Sequence, residues 1–560
     1  MKLRSVILTI VGAIAIILIA VTSFNWIVNR SVLQLLEGGV DQQPSAAVFV
    51  PRQAPVMVSL LVNPERLESL VKLKSPLGKG RQGQKELQQI KQGLLANFGL
   101  DYDQDLKDWL GEEITLAVTS DDFDRNPDNG LKPGYLLVAT AKDAEQARSF
   151  LQASYSKRAL SGTTDLVFEQ YKGNNIIYQR PKLPLTETNI AASAVVGEYV
   201  LFANHPKVLK DAINNVQATN LSLPNNPNYQ QAVNSLVDPR IGVIYLNLPA
   251  FSAWVSKQPF TDTPQVDKLL TATISLKPEG LIAQTAVLGM NETNLENQLL
   301  PQGVGALNYL PPESVVAIAG SNLNELWISL TSEDSPDNNN TFSPILKPIL
   351  ENLVTAFPEL DLPQDIFSWV QGEYALGLLP LPGKRTNDWI FIAQKVDNVD
   401  SQAAIKRLDD LALAQGNSVS NIPIFDHNTV VWSRLSQANQ SLNNSFRLDT
   451  QVKGVHTTIG NYEILSSSLE ALSQALAAVE NPLIKSEDWL QIVNSLPSPN
   501  EGYVYLDWQT GGKTLRKQFP LLRVVELSAK PLFEHLHSLT LTSLGSEDGV
   551  KRATILFNLM

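Results

Sequence analysis

The chain carries two related copies of one sequence, spaced about 260 residues apart. Tyr229–Asn247 (YQQAVNSLVDPRIGVIYLN) lies over Trp489–Asp507 (WLQIVNSLPSPNEGYVYLD) without a gap, and nine of the nineteen positions are identical. This match pairs Gly242 with Gly502 and Tyr245 with Tyr505. At the same offset Val50-Pro51 matches Leu310-Pro311, and Trp109 in DLKDWLGE matches Trp369 in DIFSWVQGE. VVGEYVLFANHPKVLKDAI from Val195 resembles TIGNYEILSSSLEALSQAL from Thr458, pairing Gly197 with Gly460 and Tyr199 with Tyr462. A period this long means one structural unit used twice. We expect a first repeat domain over residues 45–290, a linker over 291–305 and a second repeat domain over 306–560.

Within each copy, period-2 and period-3.6 patterns alternate, so strands and helices are mixed along the chain. In the first copy Val56–Val62, Ile114–Thr119 and Tyr135–Thr140 read as strands, and Glu86–Phe98 and Asp143–Leu151 as helices. The second copy repeats this with a helix over Ile345–Phe357, a strand over Trp389–Ala393 and a helix over Ser401–Leu413. Each copy closes on a hairpin turning at Glu279-Gly280 or Asp548-Gly549. The expected fold class is α+β: two tandem homologous mixed domains with largely antiparallel sheets, preceded by a transmembrane helix.

That helix is expected because Val6–Phe24 is nineteen residues without a charge. About twenty apolar residues span a bilayer, whereas the apolar part of a secretory signal has about 7–15. Lys2 and Arg4 before it favour a cytoplasmic N-terminus, making residues 1–31 a tip and anchor with the body in the periplasm or a thylakoid lumen. A cleaved signal peptide is the competing reading, with small residues at Ala20–Ser23.

Composition narrows the chemistry. With no cysteine there is no disulfide, thiol nucleophile or Cys-ligated metal. A formal charge of −12 argues against nucleic acid as a partner, because phosphate recognition needs a basic surface. Gly78, Gly80 and Gly83 satisfy G-x-G-x-x-G, but no strand runs directly into them, and a dinucleotide fingerprint requires one. Gly512-Lys513-Thr514 imitates the end of a phosphate loop whose first glycine is replaced by Asp507. Asp124, Asn126 and Asp128 have calcium-loop spacing, yet Asn129 stands at the sharp-turn glycine position and Tyr135 at the bidentate glutamate. His205, His427, His456, His535 and His537 form no helical metal motif; His535 and His537 would share a face on a strand. No catalytic residue, cofactor site or metal site is assigned, although a hydrolytic site assembled from distant positions stays open.

The repeated positions Pro51/Pro311, Trp109/Trp369, Gly111/Gly372, Gly197/Gly460, Tyr199/Tyr462, Gly242/Gly502 and Tyr245/Tyr505 are residue types that fill cores and make turns. Glu112/Glu373 is the repeated acidic pair. Lys72, Lys74, Lys79, Arg81 and Lys85 form a basic island with no acid among them, a candidate contact for anionic lipid or an acidic partner.

Taken with Lys2, Arg4 and the apolar leader, SAAVFVPRQAPVMVSLLVNPERL from Ser45 and its echo ALNYLPPESVVAIAGSNLNEL from Ala306 resemble the cyanobacterial membrane-anchored proteins grouped under domain of unknown function 3352. The resemblance implies an envelope or thylakoid setting and transfers no catalytic residue. The expected function is a non-catalytic extracytoplasmic scaffold or assembly factor for other envelope or thylakoid proteins. The alternatives are a carrier of an apolar ligand or lipid in a cleft of the duplicated body, and a hydrolase with a non-local site.

Overall fold

A computed structural model describes residues 39–65, 102–126, 128, 130–160, 164–181, 192–236, 239–257, 268–277, 279–289, 300, 303–323, 361–380, 387–397, 399–438, 447–512, 533 and 535–559. The first half contributes strands β1 (Val56–Leu60), β2 (Leu110–Ser120), β3 (Gly134–Ala141), β4 (Thr164–Tyr171), β5 (Asn174–Pro181), β6 (Ala192–Val196), β7 (Tyr199–Ala203), β8 (Gly242–Asn247), β9 (Leu269–Lys277) and β10 (Gly280–Leu288). The second contributes β11 (Val316–Ser321), β12 (Glu373–Leu379), β13 (Asp388–Gln394), β14 (Ser418–Ile424), β15 (His427–Ala438), β16 (Arg447–Ile459), β17 (Tyr462–Ser466), β18 (Gly502–Asp507), β19 (Ser538–Glu547) and β20 (Val550–Asn558).

Across the sheet the first half runs β4-β5-β6-β7-β3-β2-β1-β8-β9-β10, all antiparallel. The second half has the matching order β14-β15-β16-β17-β13-β12-β11-β18-β19-β20. The two series meet where β10 pairs with β20. Gln284, the fifth residue of β10, stands opposite Thr554, the fifth of β20, so each strand meets its own counterpart about a local two-fold axis. Gly280 allows the close approach: a Cβ there would lie 2.0 Å from the carbonyl oxygen of Phe557, on a backbone with φ of +153°.

Alternation along the strands separates two faces. In β9, Leu270, Ala272, Ile274 and Leu276 point to one side, and Thr271, Thr273 and Ser275 to the other. The first side carries helix α1 (Ala144–Leu160) through Ala147 and Leu151. The opposite side carries α2 (Pro206–Gln217) and α3 (Pro227–Asn234). In the second half α4 (Ser401–Ala414) lies on the first side, while α5 (Leu469–Ala478) and α6 (Glu487–Ser495) lie on the other. Their starts are set by side-chain caps: Asn226 accepts from the Asn228 and Tyr229 amides at α3, and Ser486 from the Trp489 amide at α6. Proline occupies the first helical position of α2 and of α3. One apolar core runs from Val56 and Ile244 through Leu281, Ala283 and Phe557 to Ile318, Leu376 and Phe391, crossing the junction.

This corrects the expected fold class. The halves do not carry separate sheets; twenty strands form one sheet, joined because pairing β10 with β20 satisfies the backbone edge that each half would otherwise leave open. The described residues give no support to an N-terminal transmembrane helix. Among the described residues no helix is long and apolar enough to cross a membrane. The longest, α1, has 17 residues and carries Glu145 and Arg148. Val6–Phe24, and the helices expected over Glu86–Phe98 and Ile345–Phe357, lie outside the described residues.

Candidate functional site

The repeated residues gather into matching clusters, one in each half. At the head of β2, the buried Glu113 carboxylate accepts hydrogen bonds from the Ser45 amide (2.9 Å), the Ser45 hydroxyl (2.6 Å) and the Ala46 amide (3.0 Å). These groups open a turn of 3-10 helix, Ser45–Phe49, and a carboxylate is the natural partner for unsatisfied amides at such a start. In the second half Glu373 at the head of β12 accepts from the Gly305 amide (2.7 Å), which opens the matching turn Gly305–Tyr309. The structurally repeated carboxylate is therefore Glu113 with Glu373. Glu112, which the sequence pairs with Glu373, instead receives the Asn63 amide at 3.3 Å.

Tyr199 and Tyr462 close these clusters. Tyr199 is hydrogen-bonded to Ser45 and packs edge-on against Phe49 at 5.1 Å. Tyr462 donates to Glu373 at 3.3 Å and packs on Tyr309 at 5.3 Å. Burial raises the Tyr199 phenol above its ordinary value, and burial together with Glu373 pushes Tyr462 up to about 12. Both hydroxyls therefore stay protonated at neutral pH and act as packing and hydrogen-bonding groups.

The other repeated positions are architectural too. The Trp109 indole donates to the Asp105 carbonyl at 2.7 Å, and Trp369 donates to that of Asp365 at 3.0 Å; both rings are buried. Tyr245 meets Tyr229 edge-on at 5.4 Å, as Tyr505 meets Trp489 at 5.6 Å. Gly197 and Gly460 take φ of +60° and +53° in the turns between β6 and β7 and between β16 and β17. Gly242 and Gly502 begin β8 and β18. The carbonyls of Pro51 and Pro311 accept from the Ala54 and Ser314 amides.

Of the remaining candidates, Lys72, Lys74, Lys79, Arg81 and Lys85 lie outside the described residues, as do Gly78, Gly80, Gly83 and Lys513. Asp124 and Asn126 fold into successive Asx turns, accepting the Asn126 and Asp128 amides at 3.1 Å each, with Lys132 paired to Asp124. His456 Nε2 lies 3.0 Å from Asp409, which also accepts from the Trp432 indole at 2.7 Å, a cluster that ties α4 to β15 and β16. Among the described residues no group of three or more His, Asp or Glu side chains is placed to hold a metal ion.

The surface that sequence reasoning missed is at the two ends of the sheet. Among the described residues β4 and β14 each have one strand neighbour. Phe168 on β4, Phe425 in the β14–β15 turn and Leu435 on β15 are 69%, 65% and 64% exposed. No other large apolar side chain among the described residues is as exposed. Nothing local to Phe168, Phe425 or Leu435 tells that their hairpins are the end ones of the sheet among the described residues.

No curated protein and no solved structure matches the chain. A family model described as a protein of unknown function, DUF3352, matches residues 9–559. Because that match takes in nearly the whole length, from the leader to the last strand of the duplicated sheet, the chain belongs to the DUF3352 family.

Proposed function

We propose that the protein is a non-catalytic interaction scaffold, a double-length sheet that offers its two ends to protein partners. The observation that carries this reading is the placement of Phe168, Phe425 and Leu435 on the terminal hairpins. Scattered apolar side chains on a surface need no explanation, whereas the three most exposed among the described residues, gathered on the two end hairpins, do. The outer edge of a terminal strand is also a template for an added strand. Pro423 on β14 and Asp165 and Glu169 on β4 discourage indiscriminate edge pairing and leave room for a matched partner.

Placement outside the cytoplasm belongs to the same proposal, since an apolar leader behind Lys2 and Arg4 directs export whether or not it is cleaved. The family resemblance favours a cyanobacterial envelope or thylakoid. Protease accessibility on intact vesicles checks the side.

Photo-crosslinking from positions 168 and 425 tests the scaffold reading. Discrete adducts are expected from both positions and not from Leu490, which is exposed on α6, the helix packed over β18 near the middle of the sheet. Phe168→Asp and Phe425→Asp should abolish capture without changing the unfolding midpoint. Equal labelling from all three positions, or capture unchanged in the aspartate variants, would sink it.

A further inference from the structure

On the face that carries α3 and α6, a cavity of about 400 Å³ lies over the β10–β20 junction, within the roughly 300–1,000 Å³ range of small-molecule sites. Its side walls come from equivalent places in the two halves, Leu236 just beyond α3 and Leu496 just beyond α6. Its floor is the pair that marks the local two-fold axis, Gln284 and Thr554. Lys277 at the end of β9 and Arg552 on β20 bring positive charge to the lining, and Ser235 and Ser495, again from equivalent places, bring hydroxyl groups.

Two observations point to a ligand. First, the Thr554 hydroxyl is fully buried and has no hydrogen-bond partner. An orphaned hydroxyl in a cavity wall destabilises the fold unless something arrives to satisfy it. Second, the symmetry is broken here. The β9–β10 ladder runs in unbroken register, whereas β19 shifts between Ser543 and Ser546 opposite Arg552, and Leu544 from the bulge joins the cavity lining. Bulges of this kind re-aim a side chain and recur beside binding sites. Arg552 is paired with Glu547, but a guanidinium has five donors, so the pair leaves others for the cavity.

We propose that this cavity binds a small amphiphilic carboxylate. The anionic head is held by Lys277 and Arg552, with the Thr554 hydroxyl donating to one carboxylate oxygen. The apolar chain lies along Leu236, Leu496 and Leu544. The planar two-oxygen head suits a guanidinium fork, and the three leucines offer apolar surface to the chain. This inference is independent of the scaffold proposal, because the cavity lies at the centre of the sheet and the exposed hairpins at its ends.

The test is calorimetric titration of the purified full-length chain with decanoate, with decanol and acetate as the probes that lack the charge or the tail. Decanoate is expected to bind saturably. Loss of one charge-assisted contact weakens binding about tenfold, so the Lys277→Gln variant should fall by that factor, and decanol, which loses the contacts to both Lys277 and Arg552, by more. Acetate should give no saturable heat. Leu496→Trp, which fills the cavity, should abolish decanoate binding, and Thr554→Val should weaken it with little change in volume. Phe168→Asp should bind decanoate as the unaltered chain does, which separates this test from the scaffold reading. Absence of saturable decanoate binding would overturn the site, and so would equal affinity in Lys277→Gln, a rim substitution that leaves the core intact.

Discussion

Glu113 in the first half receives the Ser45 amide, the Ser45 hydroxyl, the Ala46 amide and the Thr115 hydroxyl, whereas Glu373 in the second receives the Gly305 amide and the Tyr462 hydroxyl. The position is kept and the donors are not. The same holds at the helix starts that follow β7 and β17: α2 is capped by the ring of His205 and α5 by the hydroxyl of Ser468. It holds again where Tyr229 of α3 and Trp489 of α6 press different rings on equivalent tyrosines. What persists between the halves is the geometric task, a carboxylate under a 3-10 turn or an acceptor at a helix start. The side chains that meet it are free to differ as long as every buried donor is answered.

The equivalence is easiest to break at the tryptophans. Trp109→Ala and Trp369→Ala should each destabilise the chain by about 3–5 kcal/mol in urea unfolding. Because the sheet and its core cross the junction, both should shift one shared transition; a variant that unfolds in two steps would show that the halves are thermodynamically separate. Removal of the carboxylates comes next. Glu113→Ala should lose about 1–3 kcal/mol and Glu373→Ala less, because Glu113 leaves more donors behind. Equal losses would mean that the additional contacts of Glu113 contribute nothing.

The tyrosines sharpen the contrast through pH. Tyr462 titrates near 12 in the folded chain against an ordinary value of 10.0, so its proton favours the folded state. That contribution is complete below the unfolded value and is lost as pH rises from 10.0 toward about 12. Tyr462→Phe should flatten the alkaline loss of stability more than Tyr199→Phe does, as read by urea midpoints across that window. The smallest effect is at the caps. Burial lowers the pKa of His205, whose Nδ1 must stay unprotonated to accept the Lys207 amide. The stability it provides is present above the free-histidine value of about 6.5 and disappears as pH falls through the lowered one, by under about 1 kcal/mol. His205→Ser, copying the cap of α5, should remove that acid sensitivity; if the acid limb is unchanged, His205 does not act as a titrating cap.

Local structure was legible wherever pattern and punctuation coincide. Tyr135–Thr140 and Trp389–Ala393 fall within β3 and β13, and Ser401–Leu413 within α4, because alternation or a 3.6 period ran between clear breaks. The helix expected over Asp143–Leu151 runs on to Leu160, since nothing after Leu151 in that stretch stops it. Pairing was not legible. β10 and β20 alternate like any buried strand, and no residue in either announces that its neighbour lies in the other copy. The Glu112 and Glu113 ambiguity has a similar origin: two adjacent carboxylates point to opposite faces of a strand, and only the packing of the 3-10 turn tells which one is used. For the ends of the sheet, exposure of Phe168 depends on β4 having a single strand neighbour among the described residues, a property of the assembly rather than of the peptide.

The meeting of β10 with β20 has an ancestral meaning. A strand that binds its own counterpart antiparallel about a two-fold axis is the contact through which two free chains of half this length would form a closed dimer. Joining them head to tail turns a concentration-dependent encounter into an intramolecular one at high effective molarity, so each partner is free to drift without the pair dissociating. Symmetry once enforced by identity is then enforced only by the tether, and one side of the seam is at liberty to acquire a chemistry that the other never had.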